Sequence, residues 1–413
     1  MTAAAGYAAE MQRIDDDIAE TEAAASSDPA DPERITRHVY RLYQKVSICG
    51  GLVGLTAVEH AIDQAITLLS NPADLYLLKA HAAFKLHKLA AVDSALPAVP
   101  SVYASDEGRL IRADLDFQHG HYQAAESGYV KVLQRERSWG ALARLAYLCG
   151  NMGDVTDADG LYEEAEDQLT AKEMLAYAWL EVQRGFLDFA RGRLREARSH
   201  YRRADAAYPG YWLVEEHIAE LLGAEGRYEE ATGIFERIVS AIERPDLEQA
   251  IGELYDLAGR ARPAGYWKER ALSAYLQSAQ RGEVHYYHHL VDCYADVAED
   301  GGEAVKWAYK DLQLRENFAT QPTLAWAFYR YGRVSEAVRS IDRGLASGVI
   351  DALLNFRSGE IYSAAGDEVE GRYCGERASN LNPAVAGFHV HTEVTKPGLR
   401  PRPSRRPYRR RSR

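Results

Sequence analysis

The chain has 413 residues, 46% of them hydrophobic and 27% charged, and carries a formal charge of −12. That balance supports a large buried core and argues against a general nucleic-acid binder. The charge is uneven, because nine cations fall between Lys396 and Arg413, where no acid occurs, leaving −21 on residues 1–395.

No eighteen-residue apolar run occurs, so no membrane span is expected. The start, MTAAAGYAAEMQRIDDDIAE, lacks the basic and then apolar pattern of a secretory signal. Cys49, Cys149, Cys293 and Cys374 lie far apart and form no CxxC pair, which argues against a disulfide framework or a structural zinc site. Scattered thiols suit a reducing compartment, and a cytoplasmic location is expected.

Residues 1–34 read as an N-terminal helix followed by the loop SSDPADP at 26–32. ITRHVYRLYQKVSICGG (35–51) and LTAVEHAIDQAITLLSNP (55–72) read as two helices parted by a glycine break, an early or capping repeat. Beyond them one spacing recurs. GHYQAAESGY supplies Gly120, Tyr122, Ala125 and Tyr129, and GDVTDADGLY repeats it as Gly153, Val155, Ala158 and Tyr162. GRLREARSHY, GRYEEATGIF and GRVSEAVRSI repeat it from Gly192, Gly226 and Gly332. Weaker copies sit at His87, Gly259, Glu299 and Gly366, so that the marks follow one another at intervals of 33 to 40 residues.

A glycine that ends one helix in the left-handed conformation explains the first position of this pattern. The alanine lets the next helix approach closely, and the large residue four positions later fills the gap on the same face. Helix-period stretches such as WGALARLAYLCG (139–150) and LAWAFYRYG (324–332) precede the marks, and Pro209 and Pro383 stand where helices should stop. Each unit is therefore a helical hairpin. The 259 copy departs from the pattern with Pro263 where a helix should begin, and the intervals ending at 192 and 299 are longer than the rest.

The copy around Gly192 carries Gly185, Phe189, Gly192, Leu194, Ala197, Tyr201, Ala204 and Pro209, and the last copy carries Gly359, Tyr362, Gly366, Ala378 and Pro383. This pattern resembles the tetratricopeptide repeat (TPR) family over roughly residues 40–385. The resemblance implies an all-α fold, an α-solenoid wound as a right-handed superhelix of about nine hairpins, with the array spanning 35–385. It also implies a concave groove, lined by the first helix of each hairpin, that receives a peptide or a partner helix. The expected function is that of a protein–protein interaction scaffold or adaptor.

On the family's frame the groove-facing positions in the first half are His81, Phe84, Asp114, Phe117, Arg144 and Tyr147. In the middle they are Phe186, Phe189, Glu216, Glu220, Glu253 and Asp256. Toward the end they are His289, Cys293, Asp296, Trp326, Tyr329, Phe356 and Glu360. The set is acidic and aromatic, which suits a basic or mixed peptide. Glu216, Glu220, Gln249 and Glu253 stand where chaperone-tail clamps of the family carry basic residues and asparagine, which disfavours that ligand.

HYYHHLVDCYAD (285–296) offers the one metal alternative. On a helix, His285, His289 and Asp292 fall at i, i+4 and i+7 on one face and could hold a divalent ion, making the chain a metal-binding or metal-sensing repeat protein. Packing and surface roles for these histidines are the favoured reading, since no HExxH is formed. GxSxG, the phosphate-binding GxxxxGK[ST] and GxGxxG are absent as well, so no catalytic residue, no cofactor and no enzymatic activity are expected.

FHVHTEV (388–394) alternates like a short strand, and residues 386–395 read as a cap segment with its apolar side on the last helix. His389 and His391 on the other side form a weak chelating pair. The tail at 396–413, rich in arginine and proline, is expected to be disordered. It could touch nucleic acid or an anionic surface by charge alone, or dock back into its own acidic groove.

Overall fold

All nine repeat marks are left-handed turns between paired helices. Gly120, Gly153, Gly192, Gly226, Gly259, Gly332 and Gly366 have φ between 69° and 97°. His87 (φ 58°) and Glu299 (φ 53°) are the non-glycine residues with positive φ among the described residues. The closing bonds recur too: the amide after the turn residue reaches a carbonyl in the last turn of the first helix, as in His121 to Asp116 at 2.8 Å and Arg333 to Phe328 at 2.9 Å.

The computed structural model describes residues 6–390 apart from Ala30, Ser70 and Asn71. The basic tail and His391 lie outside the described residues.

Helix α1 (Tyr7–Ser27) precedes ten hairpins. The first, α2 (Pro32–Cys49) and α3 (Leu52–Leu68), turns at Gly50, which has φ 73°. Next come α4 (Ala73–Lys85) with α5 (Leu89–Ala95), and, after the short α6 (Pro100–Ala104), α7 (Asp106–Gln118) with α8 (Tyr122–Leu133). The central hairpins are α9 (Trp139–Met152) with α10 (Val155–Asp167), α11 (Met174–Phe189) with α12 (Leu194–Ala207), and α13 (Trp212–Ala224) with α14 (Tyr228–Ala241). Then follow α15 (Pro245–Leu257) with α16 (Ala261–Gln280), and α17 (Tyr287–Asp292), extended by a π-helical turn, with α18 (Gly301–Leu312). The array ends with α19 (Thr320–Arg330) and α20 (Val334–Ala346), then α21 (Ala352–Ala365) and α22 (Glu368–Leu381). This is an all-α solenoid of paired antiparallel helices.

The irregular intervals have local causes. Pro263 is the third residue of α16, inside the first turn, where a helix has no internal acceptor for the amide that proline lacks. The length of α16 itself, 20 residues, accounts for the long interval before Glu299. The long interval before Gly192 is spread over the 16-residue α11, the two residues between it and Gly192, and small increments in α10 and the connection after it. Pro97 and Pro100 break the second helix of the α4/α5 unit into α5, a 3-10 turn and α6, a division absent from the sequence reading. Inside the hairpins the pattern packs as its chemistry requires: Ala125, Ala158, Ala197, Ala231 and Ala337 are fully buried, with Tyr129, Tyr162, Tyr201, Phe235 and Ile341 sealed against the neighbouring helices.

The superhelix closes on itself. The turn at Gly120 meets the loop after α18, with Asn317 donating to Gln118 at 3.0 Å and the Phe318 amide donating to the Tyr122 hydroxyl at 2.6 Å. The turn at Gly153 meets the loop after α20, where the Ile350 amide donates to the Asn151 carbonyl at 2.9 Å. The turn at Gly192 meets Asn382 and Pro383 after α22, and the His87 ring lies tilted against His285 after α16 with centroids 4.3 Å apart. In each case the turn of one hairpin abuts the loop that follows the fifth hairpin after it.

Glycine has a second task at these contacts. A Cβ on Gly120 would sit 2.5 Å from the Glu316 carbonyl oxygen, whereas one on Gly226 would meet nothing within 4 Å. Among the described residues no hairpin stands against the Gly226 turn.

Candidate functional site

Winding by five hairpins divides the concave face into an open first half and a covered second half. The six first-half positions expected in the groove, His81, Phe84, Asp114, Phe117, Arg144 and Tyr147, all line one opening of about 700 Å³. They come from α4, α7 and α9, whose register puts them on one wall. Trp139, Trp179 and Tyr211 line it as well, and the two indoles meet edge to face at 6.1 Å. The sequence reading passed over Trp179, although it lies seven residues before Phe186 and therefore on the same helical face.

The polar groups of this opening are held in place. Arg144 donates to Asp114 at 2.9 Å and to Glu107 at 3.1 Å, and Asp114 accepts the Tyr129 hydroxyl at 2.8 Å. Burial raises the Asp114 carboxyl above its ordinary value, against the pull of Arg144. Burial also lowers the His81 imidazole, opposed by Glu107 at 3.4 Å. Fixed charges beside aromatic faces, with Tyr147 40% exposed, make a wall that can hold apolar anchors and orient polar ones.

A second, narrower cavity of about 300 Å³ continues from Tyr147 and Gln183 between successive superhelical turns. Phe186 and Phe189 line it from α11, facing Phe318, Ile350 and Arg357 from the far turn. The remaining expected positions lie deeper. Glu216, Glu220 and Glu253 are 1%, 1% and 3% exposed, so they are interior wall rather than open groove. Their charges are met from within: Arg244 is 3.7 Å from Glu216, His217 is 3.0 Å from Glu220, and Gln249 donates to Glu253 at 3.2 Å.

Asp296 is buried, accepting from Trp326 at 2.8 Å and pairing with Arg330 at 2.9 Å. Trp326 and Tyr329 are core residues, Cys293 is buried beside Gln249, and Phe356 and Glu360 are half-buried. Asp256 alone of the acids faces solvent, with Lys268 at 2.5 Å.

The histidine constellation does not assemble as a single helical face. His285 precedes α17, because the helix starts only at Tyr287. It lies against the His87 ring, while His289 stacks on Tyr275 at 5.4 Å and Asp292 pairs with Arg357 at 3.3 Å. The three side chains meet three different neighbours, and no group of three potential ligands is placed to hold a metal among the described residues.

The C-terminal segment also departs from expectation. Phe388 and Val390 do alternate with His389, but their apolar side packs against Leu222, Phe235, Leu247 and Leu254 of α13–α15, not on the last helix. The closed winding brings the end of α22 beside those central hairpins.

No family model matches the chain, and no curated protein matches it. Solved structures resemble it in fold. A chain of the Cut9–Hcn1 hetero-tetramer of the APC/C is 13% identical, over 84% of this chain and 74% of its own length, with a TM-score of 0.46. The human IFIT1 dimer with PPP-AAAA is 13% identical over 84% and 82%, with a TM-score of 0.44. A tetratricopeptide repeat protein from Parabacteroides merdae is 18% identical over 59% of this chain and 93% of its own, with a TM-score of 0.34.

Proposed function

We propose that the chain is a protein-binding scaffold that takes an extended segment of a partner protein into the open first half of its lumen. The observation that carries this reading is the convergence of His81, Phe84, Asp114, Phe117, Arg144 and Tyr147 on one aromatic-lined opening of about 700 Å³. Trp139, Trp179 and Phe117 serve as apolar anchors, and the Arg144–Asp114–Glu107 group orients the partner's backbone and polar side chains. The net −21 on residues 1–395 steers a basic or mixed partner toward the site.

Arg144 keeps two carboxylates occupied, so the opening favours a segment of mixed polarity over a purely cationic one. The four free cysteines support a reducing compartment, with the cytoplasm as the proposed location. Among the described residues no helix is long and apolar enough to cross a membrane. The reading has a direct test: affinity capture from the source cells with the native chain and with the Phe84→Ala/Trp179→Ala variant. Partners held by the lumen are lost from the variant, and an unchanged partner set contradicts the reading.

A further inference from the structure

Residues 382–390 leave α22 and run along the inner wall of the central hairpins. Asn382 starts the path as a turn: its side-chain oxygen accepts the Ala384 amide at 2.8 Å and its carbonyl accepts the Val385 amide at 3.1 Å. The Gly387 amide then donates to the Ala384 carbonyl at 2.8 Å, after which Phe388 has no regular structure, His389 forms a single β-bridge and Val390 lies in a turn.

Each of these three residues meets its own feature of the wall. The Phe388 ring fills a slot above Gly223, where a Cβ would sit 2.3 Å from the ring, and it is 3% exposed. Val390, 2% exposed, fills an aliphatic slot of the same cluster. Between them, Glu220 Oε1 accepts the Val390 amide at 3.0 Å and lies 3.0 Å from His389 Nδ1. The His389 ring stands edge-on to Phe189 at 5.4 Å. A backbone amide, a cationic or hydrogen-bonding ring and two alternating apolar side chains are thus read together, the manner in which extended peptides are recognised.

We infer that this stretch of wall, built from Glu220, Gly223, Phe189 and Leu254, is a second recognition site for an extended aromatic–histidine–aliphatic segment. Phe388–Val390 occupies it in cis, and a partner segment of the same chemistry displaces it. The inference rests on the scaffold reading above and deepens it by naming the ligand class of the covered half. A tethered occupant competes at an effective concentration of roughly millimolar, so an incoming segment engages only where it binds tightly or is itself held nearby. A partner anchored in the open half of the lumen meets the second condition.

The test uses the full chain and a labelled peptide of residues 382–394, NPAVAGFHVHTEV. The Phe388→Ala/Val390→Ala chain, its slots vacated, binds the peptide at least tenfold tighter than the native chain. Adding Gly223→Ala to that variant, which puts a methyl in the aromatic slot, removes the gain. A peptide carrying Phe388→Ala binds at least tenfold more weakly than the native peptide. Equal binding by native and vacated chains overturns the inference. So does loss of helical signal in the vacated chain, since the segment is then part of the core and not an exchangeable occupant. A vacated chain that still captures partners through the Trp179 region while refusing the peptide overturns this inference alone and leaves the scaffold reading standing.

Discussion

The indole N–H of Trp212 donates to the backbone carbonyl of Ile48 at 2.7 Å, joining α13 to the end of α2 across 164 positions of sequence. Arg244 lies over the same indole at 4.8 Å, and the ring sits where a Cβ on Gly50 would be. Around it, the Tyr7 amide donates to the Pro209 carbonyl at 3.1 Å and the Tyr208 hydroxyl to Glu10 at 2.7 Å. This seam closes the first superhelical turn and shapes the open half of the lumen.

Trp212→Phe removes the bond while keeping most of the apolar contact. A net loss of about 1 kcal/mol is expected, concentrated at the seam. Amide hydrogen exchange in α1 and α2 should quicken, with exchange in α19–α22 unchanged. A uniform effect along the chain would contradict the assignment of Trp212 to the seam.

Contacts between turns and backbone strain separate in a pair of glycine variants. Gly226→Ala carries only the strain of a left-handed alanine, about 1–2 kcal/mol. Gly120→Ala carries the same strain plus a collision with the Glu316 carbonyl, 2.5 Å from the new methyl. Denaturant titration should therefore show Gly120→Ala as the more damaging of the two. Equal losses would mean that successive turns are not in contact there.

Acid should weaken the contact between His87 and His285. Burial lowers the His285 imidazole to about 4 from an ordinary 6.5, helped by Arg244 and Arg315 and opposed by Asp246. His87 lies well below its ordinary value as well, again chiefly through burial, with His285 beside it. At His285 the unfolded chain binds a proton below about pH 6.5 and the folded chain does not until near pH 4, so its stability contribution is full above that window and falls as pH drops through it. From His285 alone the loss at pH 5 is about 2 kcal/mol. Urea unfolding at pH 7.5 and 5.0 checks this, and His285→Phe should flatten the difference.

Much of the fold was legible because a left-handed turn leaves a residue-level mark. Glycine at seven positions, five of them with alanine and a large residue at fixed offsets, located the hairpins. His87 and Glu299 were found by interval alone, and both have the positive φ that the interval demanded. What repeat spacing does not encode is how far one hairpin rotates from the next, since that depends on side-chain packing summed over many interfaces. Closure every five hairpins therefore had no signature, and with it went the fate of the groove. Phe117 and Arg144 line the opening of about 700 Å³, whereas Glu216 and Glu220 are interior wall facing Arg244, His217 and Val390. The alternative histidine triad presumed one continuous helix over 285–292, whereas α17 begins two residues after His285.

Photo-crosslinking by position tests the central claim most directly. A benzophenone side chain at Tyr147, inside the lumen, is compared in source-cell extract with one at Tyr266, 59% exposed on α16 and among the lining residues of neither cavity. The scaffold account predicts a discrete crosslinked partner from position 147, abolished by Trp179→Ala, and none of the same identity from position 266. Crosslinking of the same partner from 266 and not from 147 would contradict it.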